Sequence, residues 1–144
     1  MGLPTSRAMV VAVLMVTLSG CAPSGRSERH DAQQARNDAA VDAIRGQLMR
    51  SSGVVEAHIT YGTDITNAGS TGVSLIVAEG VDFEQVNDLA VRTVWFSQLN
   101  PMGAISVSVL LDEDRTQGIG HNYNEFDDWD ELESRYGPRP VSED

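Results

Sequence analysis

Three segments of this chain alternate apolar and polar residues with the two-residue period of a strand that buries one face. In Val54–Tyr61, the residues Val55, Ala57, Ile59 and Tyr61 share one side, and Glu56, His58 and Thr60 share the other. Ala104–Leu111 sends Ile105, Val107, Val109 and Leu111 inward and Ser106 and Ser108 outward. Gly72–Glu79 sets Val73, Leu75 and Val77 against Ser74, Ile76 and Ala78. Both faces of that segment are apolar enough for a central strand. A half-buried sheet needs a cover, so the pattern demands a second layer.

Two helical stretches supply it. Asn37-Asp38 caps a helix over 38–51, with Val41, Ile44 and Leu48 at helical spacing and Gly53 after its last turn. Asp82 caps a second helix reaching about Leu99, with Phe83, Val86, Ala90 and Val94 as its inner stripe. Pro101 stops it. The stretch Gly62–Thr71 is rich in turn formers and reads as a loop. The expected architecture is α+β, a two-layer α/β sandwich in α-β-β-α-β order. Two helices cover one face of a small three-stranded sheet, all within a domain over 38–111. In this element order, and in the glycine before its second strand, the stretch resembles the BON domain, an envelope module. It also looks like a ferredoxin-like fold lacking its first strand. The BON resemblance implies binding of phospholipid or of an envelope polymer.

The start of the chain has its own pattern. Arg7 precedes a run of apolar residues, 8–18, broken only by Thr17 and ending in Leu18-Ser19-Gly20-Cys21. The run is shorter than the roughly 20 residues of a permanent membrane span, and it has the order of a secretory signal. The tetrapeptide matches a lipobox, and here the chain resembles a bacterial lipoprotein precursor. That resemblance implies cleavage between Gly20 and Cys21, removal of 1–20 as a signal peptide, and acylation of Cys21 by palmitate-type chains. The mature protein would then sit on the extracytoplasmic face of the bacterial membrane. Residues 22–37 lack large apolar side chains, so 21–37 reads as a flexible tether.

Charge and cysteine count narrow the chemistry. All ten basic residues are Arg, and 21 acids bring the net charge to −11. Nucleic acid is therefore not an expected partner, and electrostatic docking onto anionic lipid is disfavoured. One Cys excludes a disulfide framework. No serine stands in a nucleophile elbow, and no glycine-rich loop follows a strand to cradle phosphate. His30, His58 and His121 read as solvated. Asp112-Glu113-Asp114 fails as a calcium loop, because Gln117 and Tyr123 occupy the positions of the turn Gly and the bidentate Glu. No cofactor and no metal are expected, and a metal-dependent hydrolase is the remaining enzymatic alternative.

The tail, 112–144, carries 11 acids and 3 Arg. A polar exit loop, 112–121, leads to Tyr123, Phe126, Trp129, Leu132 and Tyr136, whose spacing predicts a short acidic helix at about 126–136. The second central helix has more apolar bulk than one face requires, with Val91 and Trp95 off its inner stripe and Leu89, Phe96 and Leu99 flanking it. One reading folds the tail back, setting Trp129 and Phe126 on that helix. The other leaves Trp95, Val91, Phe126, Trp129 and Tyr136 as an exposed partner-binding patch. Met49 and Met102 are expected as core filler. The combined expectation is a non-catalytic, lipid-anchored envelope protein, a binding or adaptor module for another protein or a polymer.

Overall fold

The computed structural model describes residues 25–64 and 67–140. The signal-like segment 1–20, Cys21 and residues 22–24 lie outside the described residues, as do 141–144. The elements are α1 (Gly25–Met49), β1 (Val54–Asp64), β2 (Asn67–Val77), α2 (Phe83–Trp95), β3 (Ala104–Leu111), β4 (Gly118–Asn124) and α3 (Trp129–Tyr136). The sheet order is β1-β2-β3-β4. β1–β2 and β3–β4 pair antiparallel, while β2 and β3, joined through α2, pair parallel. β2 is thus central, as its two apolar faces require. The fold is α+β and two-layered, with four strands rather than three.

Both long helices lie on one face of the sheet. Ile59, Val73, Leu75, Val77, Ile105, Val107 and Val109 point into the core from β1, β2 and β3. They meet Ala40, Ile44 and Leu48 of α1, and Val86, Ala90 and Val94 of α2. Asp82 caps α2 through its carboxylate, which accepts from the Glu84 and Gln85 amides at 3.0 and 3.2 Å. α2 ends at Trp95, before the expected Leu99, because the Ser97 hydroxyl turns back to the Val94 carbonyl. Leu99 is nonetheless fully buried.

Three expectations are corrected. The tether is helical from Gly25 onward, thirteen residues before the expected start of the helix at 38. Its Ala, Gln, Arg and Glu content suits a helix, and it extends a helix already nucleated and packed further along. Side-chain bonds from Gln34 to Asp38 (2.9 Å) and Gln33 to Asn37 (3.3 Å) run along it. Secondly, the stretch 62–71 is mostly strand, since the β1–β2 ladder continues to Asp64↔Asn67. Gly69 makes that possible: its φ is +100°, and a Cβ there would collide with the Pro101 carbonyl. Thirdly, the exit loop 112–121 contains the start of β4. Ile119 and Tyr123 alternate toward the core, opposite Val109 and Ile105.

The tail is part of the domain. Leu132 of α3 is buried to 1% exposure, and the Trp95 and Trp129 rings meet edge-to-face at 5.4 Å. The Trp95 indole N–H donates to the Gly137 carbonyl at 2.9 Å. α3 starts at Trp129, so Phe126 precedes it and is 93% exposed. Met102 is buried, but Met49 ends α1 on its outer side and is exposed.

Candidate binding surface

With the helices on one side, the other face of the sheet is open. The register sets its rows. His58, Ser74, Ser108 and Gly120 lie side by side, and Thr60, Gly72, Ser106 and Asn122 form the next row. Every one of these residues is small or polar, so the backbone comes close to the surface. They line a shallow depression of about 350 Å³. A second depression, of about 610 Å³, runs from His58 around the β1 edge past Val55, Met49 and Arg45.

One end of this face is closed by an ion pair. Arg115, in the turn after β3, reaches Glu56 on β1 at 3.2 Å. Glu56 is the register partner of Ile76, which is buried to 6% although it points away from the helices. The turn carrying Arg115 is fixed by Asp114, whose carboxylate accepts from the Thr116 hydroxyl (2.6 Å), Gln117 (2.9 Å) and the Thr116 amide (3.0 Å). Those bonds, the Thr116 side chain first, hold the Asp114 carboxyl below the usual carboxylate range.

The expected partner-binding residues do not form one exposed patch. Val91 and Trp95 are buried at 0% and 1%. Trp129 and Tyr136 are half-buried by the same contact, with the Tyr136 hydroxyl donating to Asp88 at 2.6 Å. Arg135 meets the same carboxylate at 2.6 Å. The patch reading is corrected for these four: α3 covers the broad apolar arc of α2, because an unpaired face of that size is stabilised by burial. Phe126 alone of the five is exposed, contrary to a packed position on α2. Its loop is ordered by Asn124, whose side-chain oxygen accepts from the amides of Phe126 (3.0 Å) and Asp127 (3.2 Å).

The other chemistry-bearing groups are dispersed. His121 shares the helix-side face of β4, 3.5 Å from Glu84 and stacked on Tyr123. His30 is exposed on α1. Among the described residues no three His, Cys, Asp or Glu side chains are grouped to hold a metal ion. Among those residues, too, no helix is long and apolar enough to cross a membrane. A separate groove of about 500 Å³ lies between α1 and α2, floored by Ala40, Ile44 and Leu89, with Phe96 and Arg92 lining it.

The open face is legible in the sequence from Glu56, His58, Thr60, Ser106 and Ser108, which alternation places on polar sides. Gly120 and Asn122 carry no apolar alternation of their own and do not read as strand. The signal lies in their neighbours, since Ile119, His121 and Tyr123 recur at every second position. No family model, curated protein or solved structure matches the chain.

Proposed function

We propose that this chain is a lipid-anchored envelope protein whose domain binds another envelope protein or a polymer without chemical transformation. The observation that carries the binding role is the open sheet face, with its two rows of small polar residues. One solvated face is ordinary in a two-layer sandwich; the small residues Gly72, Ser74, Ser106, Ser108 and Gly120 set this one apart. Small side chains there allow an extended partner to lie near the backbone, where hydroxyl, amide and imidazole groups offer hydrogen bonds. The anchor rests on Leu18-Ser19-Gly20-Cys21 and the apolar run before it. Two or three acyl chains hold a protein firmly, whereas one holds it only reversibly.

Cross-linking in the native envelope tests the binding role. Ser74→Arg and Ser106→Arg each add bulk and charge to the open face without touching the core. Each is expected to abolish a cross-linked partner seen with the unaltered chain, at unchanged melting temperature. Retention of that partner by both variants would remove the sheet face as the surface. The anchor is tested separately: Cys21→Ala is expected to move the protein from the membrane fraction to the soluble one.

A further inference from the structure

The unbroken helix α1 has a consequence for how the domain stands on a membrane, and it rests on the reading of Cys21 as the acylated residue. α1 runs antiparallel to β1, since Met49 leads through the Ser51–Gly53 turn directly into Val54. Its N-terminal residues therefore leave the domain at the end of the sheet where β1 finishes and β3 begins. That end is identified by contacts. Asn37 and Gln33 are bonded to Asn100, the Tyr61 hydroxyl donates to the Pro101 carbonyl at 2.5 Å, and the Gly103 amide donates to Gly69 at 2.8 Å. Glu125, next to the exposed Phe126, donates its amide to Gly103 and belongs to the same end.

Asn37 is the first fully buried residue of α1. Gln33 is its last contact with the domain, and from there back to Gly25 the helix projects ~12 Å at 1.5 Å per residue. Whatever path residues 22–24 take, Cys21 stands no more than about 14 Å from Gly25. The projecting part contains no proline, and glycine stands only at its first residue, so no kink site interrupts it. At its base, Asn37 and Gln33 join it to the loop before β3.

We propose that α1 is a rigid post that turns one particular end of the sheet toward the lipid surface: the end formed by Tyr61, Gly69, Asn100–Gly103 and Phe126. The opposite end, with Gly53, Glu79 and Gly80, points away. The strands then run across the gap from membrane to periphery, and the open face looks sideways, along the membrane plane. A partner reaches it from beside the protein, not from above.

The test uses the acylated full chain in phosphatidylcholine vesicles with an acceptor dye in the headgroup layer. A donor dye is attached at Glu125→Cys or at Glu79→Cys, the native Cys21 being blocked by its acyl chains. The two positions differ in height by about the length of β3, ~26 Å for eight residues. Energy transfer is expected to be several-fold stronger from 125 than from 79. Inserting Gly-Ser-Gly-Ser-Gly between Glu28 and Arg29 is expected to erase most of that difference. Equal transfer from both positions in the uninserted chain overturns the proposal, as does an undiminished difference after insertion. Failure of the anchor reading looks different: the chain then does not float with the vesicles at all, or Cys21→Ala floats equally well.

Discussion

The side-chain amide of Asn37 is hydrogen-bonded in both directions to the backbone of Asn100: its oxygen accepts from the Asn100 amide at 3.1 Å, and its nitrogen donates to the Asn100 carbonyl at 3.0 Å. These residues are 63 positions apart. The pair replaces a sheet-like backbone contact between α1 and the loop that starts β3, and Asn37 is only 3% exposed. Asn37→Ala leaves the Asn100 amide without its partner in a part-buried site, at a cost of about 1–3 kcal/mol. Asn37→Asp keeps an acceptor but loses the donor and buries a charge, so it is expected to be no milder. Urea unfolding of the two variants measures both.

The tail is expected to behave as part of the cooperative unit. Trp129→Ala removes the edge-to-face contact with Trp95, costing about 2 kcal/mol for a half-buried aromatic. Truncation after Asp128 removes Leu132 and the Gly137 acceptor as well. Red-shifted Trp95 emission and dye binding to newly exposed apolar surface are the expected readouts. A truncated chain with unchanged unfolding midpoint would show that α3 adds nothing.

Two glycines of the β1–β2 hairpin make a matched comparison. Gly69→Ala is strained twice, by a φ of +100° and by the Pro101 carbonyl, and is expected to cost well over about 1 kcal/mol. Gly62→Ala meets nothing within 4 Å and needs no positive φ. Its expected effect is close to zero. Thermal melts of both variants, run side by side, check the contrast.

Alkaline pH should loosen the tail. Burial, then the bond to Asp88, raises the Tyr136 hydroxyl above its ordinary value. A group raised in the folded state favours folding fully below its unfolded value of about 10. That contribution is lost as pH rises through the folded value. Wild-type stability is therefore expected to fall above about pH 10. Tyr136→Phe should lack this component of the fall, although Tyr61, also raised by burial, will retain its own. Unfolding midpoints from pH 8 to 11 in the two proteins separate them.

Much of the fold was legible because burial writes itself into local period. Ile105, Val107 and Val109 alternate with Ser106 and Ser108, and that spacing names both the strand and its buried side. The polar side so defined is the candidate surface. β4 was harder to read, since Gly118–Asn124 has few apolar residues and owes its strand form to pairing with β3. Phe126 and Trp129 have equivalent sequence spacing, yet one is exposed and the other packs on Trp95. The difference lies in where α3 starts, which Asn124 and its backbone contacts decide.

Apart from Val55, exposed beside a register shift in β1, the sequence by itself determined that there are two layers and which strand and helix residues lie between them. Those are properties of neighbouring residues, and periodicity and short motifs record them. Only the tertiary structure decided that the supposed tether is helix, that the sheet has a fourth strand, and that the acidic tail closes over α2. Each depends on a distant partner: Asn100 for α1, the β3 edge for β4, Trp95 for α3. No local pattern can supply such a partner, because the free energy that orders the segment is released only on contact.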